Sequence, residues 1–584
     1  MSNDTITDGT AADSTAADSR ARGHRATGEA IVVRGLRLDV RGDLTGGSRT
    51  VVHDISFTVR SGASFGIVGE SGSGKTLTTR ALAGLLPSAA TVSGGSIRVL
   101  GEEYANATAD RWRELHQRSV GVVFQNPMTS LNPRMTVFAQ LREALPSGRP
   151  RGRADDARRV LELLESVRVP AAPARLRQYP HELSGGIAQR VAIAMSLARN
   201  PSILIADEPT TALDATTQTQ VLDLLDELRT SNALTVVLVS HDLDVVRDRC
   251  DDVAVMRGGE IVESGTTAAV ATAPAAPYTR ELLASTPRAL ASRRDRDTAG
   301  HRDLAGKDTP VLELTEVSKS FDRPRRRGDR AQAWAVDAVS LAVRPGEIVG
   351  LVGESGSGKT TTARIAVGLV EPDRGGVRYD GAPVHGGSRE TRARWRDKVQ
   401  FVFQDSYSAL NPRYTVGQCV LEPLLGGRPP STDEERERAR HVLVEVGLDP
   451  DYTDRRPHQL SGGERQRVGI ARALVRQPRL IIADEPVSAL DVTVQRRILD
   501  LIVELNRRSG TAFLVISHDL GVIGYLCDRV AVMQHGRIIE HGAVDEVLRN
   551  PRADFTRQLT RGLRRSPDGP GSGAIPPAVV DVTS

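Results

Sequence analysis

Two stretches of this sequence decide its fold: Gly69-Glu70-Ser71-Gly72-Ser73-Gly74-Lys75-Thr76 and Gly353-Glu354-Ser355-Gly356-Ser357-Gly358-Lys359-Thr360. Both fit the pattern G-x-x-x-x-G-K-[ST], in which backbone N–H groups surround phosphate oxygens, the lysine reaches the terminal phosphates and the hydroxyl holds Mg²⁺. Lysine stands at only five positions of the chain, and two of them are Lys75 and Lys359. A compact ammonium fits beside a triphosphate where a planar guanidinium does not. These loops predict two nucleotide-binding sites.

The predicted phosphate-binding residues are the glycines, serines, lysines and threonines of the two loops. They are Gly69, Ser71, Gly72, Gly74, Lys75 and Thr76 in the first loop, and Gly353, Ser355, Gly356, Gly358, Lys359 and Thr360 in the second.

The composition is that of a globular protein with several domains. The chain has 584 residues, a length greater than one hydrophobic core supports. Its residues are 39% hydrophobic and 26% charged, which is ordinary for globular proteins. We find no secretory signal and no apolar run near the roughly 18 residues that span a bilayer, so we predict no direct membrane span. A net charge of +4, spread along the chain, gives little reason to expect nucleic acid. The three cysteines are far apart, which fits a reducing cytoplasm.

The chain is a duplication, because each landmark of the first half recurs in the second in the same order. Composition then sets the predicted boundaries. We predict a disordered tail over 1–28, a first module over 29–287, a flexible charged linker over 288–309, a second module over 310–563 and a flexible tail over 564–584.

Apolar runs place these motifs on a parallel sheet. Residues 65–68 predict a buried strand that leads into the first loop, and residues from 76 to about 85 predict the helix that follows. Further buried strands are predicted at 203–206, 235–239, 480–483 and 513–516. Polar side chains follow the ends of these strands, and in open α/β sheets that edge is where ligands bind.

Acidic residues follow one strand in each half. Asp207 and Asp484 are suited to complete a Mg²⁺ shell with Thr76 and Thr360. The next residues, Glu208 and Glu485, are placed to orient or deprotonate an attacking water. An Asp-Glu pair after a strand is by itself more often a helix cap, but the upstream phosphate loop favours catalysis.

A histidine follows another strand in each half. His241 and His518 each stand in Ser-His-Asp, and we predict that they contact the terminal phosphate during catalysis. A lone histidine at a strand end is usually structural, but this one repeats at a fixed distance from the glutamate.

A third pair of motifs indicates the protein class. Leu183-Ser184-Gly185-Gly186-Ile187-Ala188-Gln189-Arg190 and Leu460-Ser461-Gly462-Gly463-Glu464-Arg465-Gln466-Arg467 resemble the LSGGQ signature of ABC-transporter ATPases. The resemblance implies an α/β fold of two tandem modules, each with a RecA-like P-loop core, an antiparallel β subdomain and a helical signature subdomain. Helix N-terminal amides and a serine hydroxyl suit a phosphate, so Ser184, Gly186, Ser461 and Gly463 are candidate nucleotide ligands.

In that family the signature of one module faces the P-loop of the other. The resemblance therefore implies that Ser461 completes the site of Lys75, and Ser184 that of Lys359. Whether the modules pair within one chain or between two chains stays open at this point.

Gln125 and Gln404 look like the family's Q-loop residue, which touches Mg²⁺ and nucleotide and senses the membrane partner. Their flanks, residues 125–133 and 404–412, resemble the FQ-[DN]-P-x-x-[SA]-LNP stretch of importers for peptides and nickel. Pro277-Tyr278-Thr279-Arg280 resembles the C-terminal HPYTR-type element of the same subfamily, and Phe555-Thr556-Arg557 is its degraded copy.

The sequence departs from the family pattern in three places, and two of these departures carry predictions. The first signature has Ile187-Ala188 where longer polar residues or Met are usual. Val40 aligns with Phe321, the position where the family stacks an aromatic ring on adenine, and such stacking is worth about 1–3 kcal/mol. We therefore expect the site of Lys75 to hold ATP less tightly than the site of Lys359. The cysteine cluster that several subunits of this subfamily carry is missing, so we expect no iron–sulfur cluster.

The resemblance implies an ATPase that powers import of peptides, or of a related small solute such as a nickel chelate, through a membrane ABC transporter. Its partners would be two multi-span permeases and an extracytoplasmic solute-binding protein, with the chain at the cytoplasmic face of the plasma membrane. The alternatives are a tandem ABC ATPase acting on ribosomes or DNA, or an exporter. Translation factors of this type have a long helical linker and repair ATPases have zinc cysteines, and both features are missing here. The cargo stays open.

Overall fold

The computed structural model describes residues 28–41, 47–146, 152–211, 213–286, 289, 309–321, 334–384, 386–488 and 490–564. Within these residues each half of the chain forms one four-stranded antiparallel sheet and one six-stranded mixed sheet. The predicted tails and linker lie almost wholly outside the described residues, and the predicted domain boundaries stay predictions.

Ten strands form the two sheets of the first module. They are β1 (Glu29–Arg41), β2 (Ser48–Arg60), β3 (Ser64–Gly69), β4 (Ala90–Val99), β5 (Glu102–Glu103), β6 (Val120–Val123), β7 (Ile203–Asp207), β8 (Thr235–Ser240), β9 (Asp252–Arg257) and β10 (Glu260–Thr266). The antiparallel sheet has the order β2-β1-β4-β5, and the mixed sheet has the order β10-β9-β3-β8-β7-β6. Only β10 is antiparallel in the mixed sheet.

Eleven helices of the first module lie in the described residues. They are α1 (Lys75–Leu82), α2 (Ala109–Arg118), α3 (Pro127–Ser130), α4 (Val137–Ala144), α5 (Arg153–Ser166), α6 (Ala172–Arg175), α7 (Gly185–Leu197), α8 (Ala215–Asn232), α9 (Leu243–Arg249), α10 (Thr267–Thr272) and α11 (Pro277–Ala284). A 3₁₀ turn, Pro180–Glu182, precedes α7.

The mixed sheet lies between two apolar cores, because successive side chains of a strand point to opposite faces. On β7, Ile203 and Ile205 pack into the core shared with the antiparallel sheet. Leu204 and Ala206 pack into the core shared with the helical part. Every residue of β7 is buried, which explains why an uninterrupted apolar run forms this strand.

The second module repeats this architecture. Its strands are β11 (Leu312–Lys319), β12 (Val336–Val343), β13 (Ile348–Gly353), β14 (Arg374–Tyr379), β15 (Ala382–Pro383), β16 (Val399–Val402), β17 (Leu480–Asp484), β18 (Ala512–Ser517), β19 (Arg529–Gln534) and β20 (Arg537–Ala543). The orders are β12-β11-β14-β15 and β16-β17-β18-β13-β19-β20, which match the first module strand for strand.

The helices of the second module also follow the first. They are α12 (Lys359–Ala366), α13 (Arg389–Lys398), α14 (Ser406–Ala409), α15 (Val416–Leu425), α16 (Asp433–Glu445), α17 (Gly462–Leu474), α18 (Val492–Ser509), α19 (Leu520–Leu526), α20 (Val544–Arg549) and α21 (Asp554–Arg564). Two 3₁₀ turns, Pro450–Asp454 and Pro457–Gln459, precede α17. None of the helices in the described ranges is long and apolar enough to cross a membrane.

The predicted fold class is confirmed, since both modules combine an α/β core with an antiparallel sheet and a helical part. One boundary was wrong: the helix predicted to reach about residue 85 ends at Leu82. Gly84 adopts φ +61°, a left-handed conformation in which the helix cannot continue.

The two modules contact each other through their C-terminal helices. Helix α11 of the first module packs on α18 of the second, and α21 packs on α8. The guanidinium of Arg496 donates a hydrogen bond of 3.0 Å to the carbonyl oxygen of Ala284. This arrangement places the start of α18 beside the first phosphate loop.

Candidate functional site

The first phosphate loop joins β3 to α1 and folds around its own lysine. Lys75 is 4% exposed, and its ammonium donates to the carbonyl oxygens of Gly69 at 2.7 Å and Glu70 at 2.8 Å. Burial lowers the pKa of Lys75. Gly74 has φ +99° and a side chain at Gly69 would meet the carbonyl oxygen of Met256 at 2.1 Å, so both positions need glycine.

The predicted phosphate-binding residues of the first module lie together in this loop and in the first turn of α1: Gly69, Ser71, Gly72, Gly74, Lys75 and Thr76.

The second loop, between β13 and α12, has the same geometry. Lys359 donates to the carbonyl oxygens of Gly353 at 2.8 Å and Glu354 at 2.7 Å, and burial lowers its pKa. Gly358 adopts φ +103°. The predicted ligands of this module gather in the loop and at the start of α12: Gly353, Ser355, Gly356, Gly358, Lys359 and Thr360. Both loops thus direct an α-helix N-terminus and an ammonium at one point, which suits phosphate.

Asp207 and Asp484 are the last residues of β7 and β17. Burial raises the pKa of Asp207 to about 6, and burial also raises the pKa of Asp484. The Thr360 hydroxyl donates to Asp484 at 3.4 Å, and Thr76 contacts Asp207 in the same way. The Oδ1 atom of Asp207 is buried and finds no hydrogen-bond partner in the described part of the chain. A buried carboxylate beside a hydroxyl is a donor set that suits Mg²⁺.

The structure brings each glutamine to the neighbouring glutamate. The amide of Gln125 donates to Glu208 at 2.7 Å, and the amide of Gln404 donates to Glu485 at 2.7 Å. Glu208 and Glu485 adopt φ +45° and +47°, which is unfavourable for a residue with a side chain. In this shared conformation each carboxylate meets the glutamine that follows the neighbouring strand. A helix cap would not require this backbone strain.

Each histidine also contacts the glutamate. Nδ1 of His518 lies 3.1 Å from Glu485, and Nδ1 of His241 lies 3.6 Å from Glu208. Burial lowers the pKa of His518, but the hydrogen bond with Glu485 and the negative charges of Glu485 and Asp519 together outweigh burial and raise that pKa above its ordinary value. Burial raises the pKa of Glu485, but the hydrogen bond with His518 and the positive charges of His518 and Lys359 together bring that pKa below its ordinary value. Glutamate is therefore the ionised partner at neutral pH.

The signature serines stand at the N-termini of α7 and α17. Ser461 is locked by a capping box, because its Oγ accepts from the N–H of Glu464 at 3.3 Å and its N–H donates to Glu464 at 2.7 Å. Ile187 takes the place of Glu464 in the first module and packs against the apolar core. Ser184 accordingly has no side-chain capping bond within the described structure.

The second glycine of each signature faces the helix that follows the glutamate. A side-chain carbon at Gly186 would meet Thr217 at 2.4 Å, and one at Gly463 would meet Val494 at 2.4 Å. Only glycine allows α7 to approach α8, and α17 to approach α18, at this distance.

Asp491 joins the two modules at the first loop. The backbone N–H of Ser71 donates to its Oδ1 at 2.9 Å, and the Ser71 hydroxyl donates to the same oxygen. Our sequence reasoning missed Asp491, although the repeated Ala-Leu-Asp after both glutamates was a usable signal. The pairing of Ser461 with the loop of Lys75 stays a prediction.

Strand register supports the alignment of Val40 with Phe321. Leu38 pairs with Val52, and Lys319, two residues before Phe321, pairs with the equivalent Val336. The Phe321 ring is 64% exposed, whereas Val40 is half-buried inside β1. An aromatic surface is thus available at the second site and missing from this position of the first.

Comparisons with known proteins agree with this geometry. The ABC transporter family matches residues 52–211 and 336–488. The glutathione import ATP-binding protein GsiA of Pectobacterium atrosepticum is 40% identical over 560 residues, covering 91% of this chain and 89% of its own length. The peptidoglycan transport ATP-binding protein YejF of Agrobacterium fabrum is 41% identical over 517 residues, covering 88% and 93%. GsiA of Escherichia coli K12 is 40% identical over 536 residues, covering 87% and 85%.

These matches span both modules, and each module contains the loop, the strand-end acids, the histidine and the signature helix in the order that the sequence predicts. The chain therefore belongs to the ABC transporter family and is an ATP-binding, ATP-hydrolysing subunit with two tandem modules.

Proposed function

We propose that this chain powers the import of peptides, or of a related small solute such as glutathione or a nickel chelate, through a membrane ABC transporter. The observation that carries the proposal is that both modules keep the lysine, glutamine, aspartate, glutamate and histidine, with the glutamine and the histidine both in contact with the glutamate. A chain that used one site only for regulation would not need two intact sets. The named relatives import glutathione or transport peptidoglycan, which supports a peptide-like cargo.

We assign ATP binding to the loop residues described above. The N–H groups of each loop hold the phosphates, and Lys75 or Lys359 exchanges its two carbonyl contacts for phosphate oxygens. Those carbonyl contacts hold the buried ammonium in place within the loop before nucleotide arrives. Binding of nucleotide therefore costs little further conformational entropy of the lysine side chain.

We assign Mg²⁺ binding to Thr76, Gln125 and Asp207 at the first site, and to Thr360, Gln404 and Asp484 at the second. The bound ion would supply charge neutralisation on the phosphates. The buried Oδ1 of Asp207, which has no partner among the described residues, fits this role.

We assign general-base catalysis to Glu208 and Glu485. In this reaction a water attacks the terminal phosphorus, the bond to the β-phosphate oxygen breaks, and the proton of the water moves to the glutamate. The contacts of His518 and Gln404 with Glu485 keep its carboxylate ionised and aimed at the loop. His241 and His518 also contact the terminal phosphate in this proposal.

The two modules would close on each other within one chain. The hydrogen bonds from Ser71 to Asp491 and from Arg496 to Ala284 support this pairing, because both link the first module to the second. Ser461 would then complete the site of Lys75, and Ser184 the site of Lys359. Closure would move the permeases, and hydrolysis would reopen the pair.

The partners we propose are two multi-span permeases and an extracytoplasmic solute-binding protein, with this chain at the cytoplasmic face of the plasma membrane. We propose no iron–sulfur cluster, since Cys250 is buried in a core of the first module, whereas Cys419 and Cys527 are buried in a core of the second. Burial raises the pKa of Cys419 to about 11, which disfavours the thiolate that a cluster requires.

Purification of the tagged chain from solubilised membranes of its native host tests this function. Two different permeases identified by mass spectrometry would support an importer, and a solute-binding protein nearby would narrow the cargo. Recovery of ribosomal proteins or DNA without permeases would contradict it and favour the soluble alternative. A K75A/K359A variant is the matched control, because it should keep the partners and lose ATP-dependent uptake.

A further inference from the structure

Helix α11 connects the first phosphate loop to the second module. Its Tyr278 is 3% exposed, and the hydroxyl oxygen accepts a hydrogen bond of 3.1 Å from the backbone N–H of Glu70. The guanidinium of Arg257 lies over the Tyr278 ring, with its central carbon 4.7 Å from the ring centre. The ring is thus held in place with its oxygen on the second residue of the loop.

A residue of the second module contacts the side chain of the same loop residue, Glu70. The hydroxyl of Thr493, at the start of α18, donates to the Glu70 carboxylate at 2.5 Å. Arg496, one turn further along α18, donates to the carbonyl oxygen of Ala284 at the end of α11. Glu70 is therefore fixed by its backbone within the first module and by its side chain across the module boundary.

The second phosphate loop has no matching arrangement in the described part of the chain. Phe555 stands where the first module has Tyr278, and Gln534 stands where it has Arg257. Thr216, the counterpart of Thr493, has a buried hydroxyl with no hydrogen-bond partner among the described residues. The duplication has thus diverged in residue type at two of these positions, while the third keeps threonine but lacks the contact.

We propose that Tyr278 is a positioning residue for ATP at the first site, where it fixes the entry to the phosphate loop and makes that site respond to the approach of the second module. Neither the family match nor the printed functions of the relatives assign this role. The inference rests on ATP binding at the first loop, as proposed above.

The physical reason is the cost of ordering a glycine-rich loop. Gly72 and Gly74, which follow Glu70, gain the most conformational freedom whenever the loop loosens. Fixing Glu70 at both its backbone and its side chain reduces that freedom before nucleotide arrives, and preorganisation of this kind appears as affinity. Burial raises the pKa of Tyr278 to about 12, so the hydroxyl stays neutral at physiological pH.

Y278F tests the proposal, because it removes one oxygen and keeps the ring. The full chain carries K359A, so that nucleotide binds through the first loop, and the dissociation constant for Mg·ATP is measured by calorimetry. Loss of a neutral hydrogen bond predicts a rise of about three- to tenfold. The same substitution in a K75A background reports on the second site, where we expect no change. In the chain without these lysine changes, KM for ATP should rise while kcat is kept.

Two further variants separate positioning from packing. T493V removes the contact from the second module and should weaken ATP at the first site, with an effect that is not additive with that of Y278F. Y104F is the matched control, since it also removes a tyrosine hydroxyl from the first module, where that hydroxyl bonds Glu102. It should leave both dissociation constants unchanged.

An unchanged affinity in Y278F, or equal losses at both sites, would overturn the inference. A fall in melting temperature without a site-selective loss of affinity would assign Tyr278 to packing of α11 and also overturn it. If the K359A chain itself does not bind ATP, the proposed site and the inference both fail. ATP binding that is retained but insensitive to Y278F refutes the inference alone.

Discussion

The substitution D207N tests the electrostatics of the first site directly. Asp207 is 4% exposed, and burial raises its pKa from 3.8 to about 6. A carboxyl group whose pKa is higher in the folded than in the unfolded protein costs stability when it is ionised. This cost is absent below the unfolded value, develops as the pH rises toward 6, and is complete above that value. The rise corresponds to about 3 kcal/mol.

D207N therefore should stabilise the first module at pH 8 in the presence of a chelator, and should have no effect near pH 4. For a module of this size, about 2–3 kcal/mol corresponds to a rise in melting temperature of roughly 5–10 °C. Differential scanning calorimetry of the full chain at both pH values measures the effect.

D110N is the matched control for this experiment, because the Asp110 side chain is 85% exposed and its substitution should not move the transition. Mg·ATP should raise the melting temperature of the first module in the parent chain more than in D207N, since the variant lacks the proposed ligand. A melting temperature that is unchanged or lower at pH 8 in D207N would refute the reasoning, because it would show that the buried carboxylate is not destabilising.

Three further predictions concern the other parts of the two sites. F321A should raise the dissociation constant for ATP at the second site roughly five- to 150-fold, because stacking worth about 1–3 kcal/mol is lost. V40A should change the dissociation constant at the first site less than threefold. Equal effects of the two variants would contradict our assignment of the adenine contact. The double variant E208Q/E485Q should lower the ATPase rate at least a hundredfold with ATP binding retained, and near-normal turnover in it would exclude the two glutamates as the bases. G463A should destabilise the second module by about 1–3 kcal/mol, because its new carbon overlaps Val494. G462A is the control and should be tolerated, because a carbon at Gly462 meets Leu490 at 3.4 Å. Comparison of the denaturant midpoints of the two variants tests this difference.

The local parts of each site could be predicted from the sequence because the constraints are local. A loop such as 69–76 needs glycine at left-handed positions and lysine beside the phosphates, and this requirement is visible as a motif. Strands such as β7 are buried on both faces, so their apolar runs are uninterrupted. The order of motifs then places polar residues at one edge of the sheet.

The long-range contacts of the first phosphate loop could not be predicted in this way. Ser71 and Asp491 are 420 residues apart, and Tyr278 and Glu70 are 208 residues apart. Ser, Asp, Glu and Tyr are all common on protein surfaces, so no pattern marks which of them meet. The HPYTR-type resemblance of Tyr278 was recognised, but its contact with the phosphate loop depends on where α11 packs.

The divergence of the two modules is divided between the two ends of the nucleotide. The first site has Val40 where we predict the contact with adenine, but its loop is held by Tyr278 and Thr493. The second site has the exposed Phe321 at that predicted contact, but Phe555 cannot make the hydroxyl contact with its loop.

The signature serines that we propose as partners of the two sites also differ in how firmly they are held. Ser461, which we pair with the first site, is fixed by a capping box with Glu464, while Ser184 in the second site's pair has no such bond in the described structure. The first site is thus better ordered around the phosphates and the second around the base. Since only the phosphates change during hydrolysis, interactions with them can differ between bound ATP and the transition state, while stacking of adenine is the same in both. We therefore expect occupancy of the first site to respond most directly to the approach of the modules, and the second site to retain nucleotide longer.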